Sequence, residues 1–376
     1  MKETALYIHI PFCDHKCIYC DFYSIITSDN IQQFLNALKT EIKYFSDLYS
    51  ESSFFSSVFF GGGTPSLMKP DYLEEIIIHL KRFFNISDNA EITMETNPGT
   101  VDKSKLKEFK DAGINRISIG IQSFDEDELK FLTRIHDKRT AIQTVYNAAE
   151  VGFENISIDL IFNLPNQTKK KWIENLNLAV SLPIKHISAY SLILERGTIL
   201  NKMVLDGKVK LQDDDYDADL YETTIDLLLS KGFYQYEVSN FTKPGYECIH
   251  NNAYWRYRDY LGLGTSAHSF IDGKRWWNYS SLKKYIHEIG TKKNAMMNFE
   301  NINPAQMHDE YVMLALRSSG LDLNEYKLRF GNEWIKKNIH YFESLKNKNL
   351  LIVNDNLIRL TAKGYAVCDE ILKNIL

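Results

Sequence analysis

Three cysteines stand within a short stretch near the start of the chain, Cys13-Asp14-His15-Lys16-Cys17-Ile18-Tyr19-Cys20, with the spacing Cys-x3-Cys-x2-Cys. Thiolates are soft ligands that suit iron–sulfur clusters and zinc. Structural zinc closes a tetrahedron of four ligands, whereas three thiolates occur here and the next cysteine along the chain is Cys248. A cubane held by three cysteines leaves one iron open, which is what a chelating substrate needs. Other chemistries use the same residues differently. His15 as a fourth ligand gives a zinc site, Cys17 and Cys20 alone give a thioredoxin-type pair that leaves Cys13 idle, and buried thiols are inert core. Cysteines crowded in this way do not form a disulfide framework and suit a reducing compartment.

Such a loop needs a rigid frame, and the first 240 residues supply one. Short β-rich runs at 6–10, 58–60, 92–95, 117–121, 156–161 and 187–192 alternate with helical patterns at 31–48, 72–84, 103–110, 140–150, 172–180 and 216–229. Pro70 suits a helix start. Gly113, Gly152 and Gly232 each stand where a helix ends and a strand begins. This alternation predicts an α/β fold, a parallel sheet covered by helices. Six units fit an incomplete barrel or a doubly wound sheet, and their spacing does not choose. The predicted organisation is an α/β domain over 1–240, an irregular segment rich in Asn, Tyr, Trp and Gly over 241–303, and a mainly helical domain over 304–376. A small hairpin (350–353 and 357–360) makes the last part resemble a winged helix.

Composition narrows the class. The 376 residues are 44% hydrophobic and 25% charged, enough for a sizeable core. The net charge of -5, with no long basic run, gives no support for a nucleic-acid partner. Residues 1–10 alternate like a strand and lack the apolar run of a signal peptide. No stretch is long and apolar enough to span a bilayer. A cytoplasmic protein is the expectation.

Tyr7-Ile8-His9-Ile10-Pro11-Phe12-Cys13, followed by Cys17, Tyr19 and Cys20, resembles the opening motif of radical S-adenosylmethionine (SAM) enzymes. More narrowly, it is similar to the oxygen-independent coproporphyrinogen III oxidase family and to its relatives, the HemW-type heme chaperones. The resemblance implies a partial (β/α)6 barrel and a [4Fe-4S] cluster on Cys13, Cys17 and Cys20. It also implies SAM contacts, carried over position by position, at Tyr7, Gly62, Gly63, Thr64, Glu95, Gln122, Arg134 and Asp159. Most of these stand at or near the ends of the predicted strands, where α/β barrels build their sites. Gly61-Gly62-Gly63-Thr64-Pro65 is not a phosphate-binding P-loop, because no Gly-Lys-Ser/Thr follows; its glycines let a ligand approach bare backbone.

Two features separate the relatives. The oxidases carry a further cysteine two positions after the third, and a longer N-terminal segment used in catalysis. Phe22 occupies that position here, and twelve residues precede Cys13. His250-Asn251-Asn252-Ala253-Tyr254-Trp255 resembles the H-N-x-x-Y-W motif associated with heme binding in HemW-type proteins, with His250 as an axial ligand and Asn251, Tyr254 and Trp255 beside it. The same residues also suit backbone satisfaction and core filling, and the motif occurs in the oxidases as well. Cys248 and His268 are lesser candidates for the iron. The resemblance therefore implies a heme chaperone that delivers heme to apoproteins, respiratory enzymes among them, with SAM cleavage compatible and coproporphyrinogen oxidase activity not expected. The rival readings are the oxidase itself, which decarboxylates propionate side chains by radical chemistry, and a zinc-stabilised binding module. Peripheral membrane contact and a cluster-dependent homodimer are compatible with the chaperone and leave no mark in the sequence.

Overall fold

A computed structural model describes residues 1–27, 29–354 and 356–376. Six parallel strands form its frame: β1 (Lys2–Ile10), β2 (Ser53–Gly62), β3 (Ile86–Thr96), β4 (Arg116–Gln122), β5 (Asn155–Phe162) and β6 (His186–Ser191). Between and after them run α1 (Ile31–Tyr49), α2 (Pro70–Phe83), α3 (Lys103–Asp111), α4 (Glu126–Phe131), α5 (Lys138–Glu150), α6 (Lys169–Ser181), α7 (Ile199–Leu205) and α8 (Asp214–Ser230). The strands pair in sequence order, each parallel to the next. This is the predicted α/β architecture, a partial barrel with a helical C-terminal domain.

Side chains alternate across each strand, and the alternation sorts by chemistry. Leu6, Ile8, Ile10, Val58, Phe60, Ile92, Met94, Ile117, Ile119, Ile156 and Ile158 join the apolar core that the helices cover. The opposite parity faces the lumen and is largely polar: Tyr7 and His9, then Ser57, then Glu91, Thr93 and Glu95, then Arg116 and Ser118, then Ser157 and Asp159, then His186 and Ser188. Helix starts are fixed locally. Asp102, Asp125, Asp137, Thr168 and Asp213 each accept a hydrogen bond from the first turn of the helix that follows. Gly113 and Gly152 close helices at positive φ of 107° and 91°, which glycine adopts without a Cβ clash.

Residues 241–303, expected to be irregular, are not so. Beyond β7 (Tyr234–Gln235) and β8 (Asn240–Thr242), the chain forms α9 (Ile249–Trp255), β9 (Tyr260–Gly264), β10 (His268–Ile271), β11 (Lys274–Asn278), α10 (Leu282–Lys292) and β12 (Met296–Asn301). β9 runs parallel to β1 on the side away from β2, matching Ala5 with Tyr260 and His9 with Gly264. Among the described residues, twelve strands thus make one sheet, in the order β12-β11-β10-β9-β1-β2-β3-β4-β5-β6-β8-β7. The buried Glu41 of α1 fastens this extension. It accepts hydrogen bonds from Gly264 N (2.8 Å), Asn278 Nδ2 (2.7 Å) and the Tyr285 hydroxyl (2.7 Å).

The C-terminal part packs its own core, with Val312, Leu316, Tyr326, Phe342 and Leu372 among its members. Its helices, beginning with α11 (Pro304–Leu316), α12 (Leu323–Phe330) and α13 (Glu333–Asn347), surround a small antiparallel sheet of β13 (Leu321–Asp322), β14 (Leu351–Val353) and β15 (Leu357–Leu360), ordered β13-β15-β14.

Candidate functional site

The cysteine loop leaves the end of β1 and lies across the mouth of the barrel. All three thiols are free and part-exposed, whereas Cys248 and Cys368 are buried. Cys13 Sγ lies 3.3 Å from Thr64 Oγ1, and Arg134 Nη1 donates to Cys17 Sγ at 3.6 Å. Burial pushes the Cys20 thiol up to about 11, so ionising it calls for a cation. Among the described residues no three His, Cys, Asp or Glu side chains converge as a single metal ion requires. The zinc reading has no closed tetrahedron here. Three soft thiols spread along one loop, with no fourth cysteine beside them, fit a cluster that spans its ligands.

The glycine run gives the mouth its floor. Gly63 N donates to Ile10 O (2.8 Å) and Thr64 N to Phe12 O (2.7 Å), stitching the end of β2 to the start of the cysteine loop. A Cβ on Gly63 would fall 2.6 Å from Phe12 O and 2.9 Å from Ile10 O, so no other residue fits. At Gly62, with φ of 108°, the imidazole of His9 occupies the space a Cβ would take.

Around this floor stand the other expected SAM contacts. Glu95 accepts from Gly62 N at 3.2 Å. Burial, with Asp159 nearby, pushes its carboxyl up to about 7. Asp159 accepts from Ser118 Oγ at 3.2 Å, and burial raises it too. Tyr7 places its hydroxyl 3.1 Å from His9 Nδ1. Gln122 ends β4 at φ of 69° and lays its amide over Gly120, where a Cβ would lie 3.0 Å from Nε2. Arg134 reaches in from the turn after α4 and donates through Nη2 to Asn97 Oδ1 and Gly120 O, both at 2.6 Å. Its buried Nε has no partner. The eight expected residues, from five strands or strand ends and the turn after α4, are thus gathered in and around one mouth. A buried guanidinium with a spare donor and a buried carboxyl near neutrality suit a ligand that brings both a carboxylate and an amino group.

Sequence reasoning passed over His9, Asn97 and Ser118. His9 stands two residues after Tyr7 in the opening motif, Asn97 two after Glu95, and Ser118 within the fourth β-rich run. Nothing but the parity of the strands could have pointed them inward.

Helix α9 packs the H-N-x-x-Y-W residues against the earlier halves of the barrel strands, beside Ser57 and Glu91, and His250 approaches Tyr7 of the mouth with ring centroids 6.3 Å apart. His250 is 2% exposed and stacks on Phe59 with ring centroids 4.9 Å apart. Its Nδ1 lies 3.1 Å from Ser57 Oγ and its Nε2 2.9 Å from the Tyr254 hydroxyl. Burial drives its pKa down to about 3. Both ring nitrogens are engaged by side chains of this chain, the arrangement expected of a core-filling histidine. Tyr254 packs edge-on against Tyr260, and Asn251 N caps onto Cys248 Sγ. Cys248 also donates to Glu91 Oε1 at 3.4 Å, an inert buried thiol. The outer side of α9 (Ile249, Asn252, Arg256) borders a groove of about 740 Å³, with Tyr234, Tyr236, Glu154 and Glu247 among its walls.

Comparison with known proteins places the chain. Residues 7–179 match the model of the radical SAM superfamily. The chain is 34% identical over 370 residues to the heme chaperone HemW of Bacillus subtilis, covering 98% of this chain and 97% of that protein. It is 35% identical over 388 residues to the mitochondrial radical S-adenosyl methionine domain-containing protein 1 of Danio rerio, covering 100% and 87%. Among solved structures, the coproporphyrinogen III oxidase HemN of Escherichia coli, titled a radical SAM enzyme, superposes with a TM-score of 0.84 at 24% identity, over 100% of this chain and 90% of that one, a likeness of fold. The mouth with its three thiols, the barrel that frames it and the near full-length match to the Bacillus protein agree: this chain belongs to the HemW family within the radical SAM superfamily.

Proposed function

We propose that the chain is a heme chaperone that binds heme beside a [4Fe-4S] cluster on Cys13, Cys17 and Cys20 and passes it to heme-requiring apoproteins. The observation that carries this reading is Phe22. It occupies the position where the oxidases, by resemblance, have a cysteine, and its ring is 62% exposed rather than packed behind the loop. Ile26, 64% exposed, stands on the same loop. Ile193 follows β6, and Ile199 begins α7, whose Leu200 N donates to Ile18 O on the cysteine loop at 2.9 Å. Exposed apolar side chains on the cysteine loop suit a binding surface, which a flat macrocycle would cover well. The groove outside α9 suits heme less, because Glu154 and Glu247 would oppose the propionates.

At the mouth, Glu95, Asp159, Gln122 and Arg134 would hold SAM and keep water from it. When bound, the cluster and SAM together supply one-electron cleavage of a carbon–sulfur bond. The residues of this chain orient the ligand. Arg134 offers its free Nε–H to a carboxylate, Glu95 accepts from an amino group, and the bare backbone of Gly62 and Gly63 admits close approach. Delivery to respiratory apoproteins and a cytoplasmic location belong to the same reading, and peripheral membrane contact or a cluster-dependent dimer would be compatible with it. Among the described residues no helix is long and apolar enough to cross a membrane.

The test is anaerobic reconstitution followed by heme titration and a coproporphyrinogen assay on the same sample. Heme binding without porphyrinogen conversion, weakened several-fold by Phe22→Ser, is the expected result. Conversion of coproporphyrinogen would replace the chaperone with the oxidase.

A further inference from the structure

Two of the three cysteine thiols are linked by a chain of hydrogen bonds that runs through one side-chain amide. Asn97 Nδ2 donates to Thr64 Oγ1 at 3.0 Å. That oxygen lies 3.3 Å from Cys13 Sγ. On its other side, Asn97 Oδ1 accepts from Arg134 Nη2 at 2.6 Å, and Arg134 Nη1 donates to Cys17 Sγ at 3.6 Å. Because the amide donates to Thr64 Oγ1, the threonine's own hydrogen is left to point at Cys13. Because the amide oxygen holds Nη2, the guanidinium is turned so that Nη1 faces Cys17. Gly120 leaves the space: a Cβ there would lie 3.1 Å from Asn97 Oδ1.

Only an amide does both jobs. An aspartate would still accept from Arg134, but it would take the threonine's hydrogen instead of directing it to sulfur. An alanine would release both donors.

Hydrogen bonds to cluster sulfurs draw off negative charge and favour the reduced state, which is how a protein sets the potential of such a centre. Resting on the cluster assignment of the proposed function, we infer that Asn97 is a positioning residue that raises the reduction potential of the cluster by aiming one donor at Cys13 and another at Cys17. The same strand end supplies Glu95 to the ligand site, so β3 serves both the ligand and the redox poise.

The experiment is a redox titration of the full chain after anaerobic reconstitution, following the spectroscopic signal of the reduced cluster, with iron content measured alongside. Asn97→Asp, which preserves shape, should lower the reduced-to-oxidised ratio at a fixed potential about tenfold (about 59 mV for one electron) at full iron content. Thr64→Val removes one donor without adding charge. It should shift the same way by a smaller factor, and should add little on top of Asn97→Asp. Unchanged potentials in both variants at full iron content overturn the inference. If Asn97→Asp fails to hold iron, Thr64→Val decides alone: a shift supports the inference and no shift overturns it. A wild-type chain that takes up no iron has a different meaning, for it removes the cluster assignment itself and the inference with it.

Discussion

His250 places its Nε2 2.9 Å from the hydroxyl of Tyr254, four residues further along the same short helix, while its Nδ1 meets Ser57 on β2. The ring is therefore a buried plug between α9 and the barrel. Replacing it with alanine leaves a cavity beside Phe59 and strands two hydroxyl partners. We expect His250→Ala to cost about 3 kcal/mol of stability, read from denaturant midpoints, with heme affinity within about twofold of wild type when compared below the unfolding range. A variant of unchanged midpoint that no longer binds heme would return the histidine to the role of ligand.

Glu95 gives a pH dependence. Burial, with Asp159 nearby, raises its carboxyl to about 7, so below that pH it is mostly protonated and loses the charge that attracts an ammonium group. SAM affinity should rise with pH through about 7 and level off above it, falling up to about tenfold for each unit below. Glu95→Gln should bind more weakly and lose this slope. Isothermal titration across pH 6 to about 8.5 measures both, and a flat wild-type profile would count against the carboxylate as a SAM contact.

Cys17→Ala should abolish the cluster, because two thiolates do not hold a cubane. The visible absorbance and iron content of anaerobically prepared protein report this directly. Full iron content in the variant would contradict the three-thiolate assignment.

Gly63→Ala tests the floor of the mouth. With Phe12 O and Ile10 O in the way, the new methyl must push the cysteine loop off the end of β2. The variant should fold, lose about 1–3 kcal/mol to overpacking, and assemble the cluster poorly. Normal cluster content would show that the loop does not depend on this stitch.

Glu41 is held by three donors and, through burial, titrates at about 7. Glu41→Gln should be tolerated within about 1 kcal/mol, whereas Glu41→Ala leaves the Gly264 N–H, the Asn278 amide and the Tyr285 hydroxyl unsatisfied and should cost about 3 kcal/mol or more. Hydrogen exchange should locate the loss in β9 and β11. Uniform loss across the barrel would mean that the extension is not fastened there.

Most of the barrel strands were legible because they alternate apolar and polar residues, as in Ile156-Ser157-Ile158-Asp159-Leu160, while Val58-Phe59-Phe60 reads as a strand by its β-favouring residues alone. The helices were legible from caps and glycines. The cysteine loop needed no structure at all. The segment after Phe241 was not legible, for physical reasons. Its strands are three to six residues long, too short for periodicity to register, and Tyr260–Gly264 becomes a strand only because β1, from the far end of the chain, offers it a parallel partner. His250 is open to two readings for a similar cause. A histidine among Asn, Tyr and Trp reads the same whether it faces a ligand or a serine on another strand.

The parallel seam between β1 and β9 sets an order of events during synthesis. Cys13, Cys17 and Cys20 leave the ribosome well before β9, and His9 meets Gly264 only once β9 has been made. Until then β1 has an open flank, and the sulfurs hang from an unfinished edge. A nascent chain stalled before β9 would carry its three thiols beside a sheet edge that still lacks its partner strand.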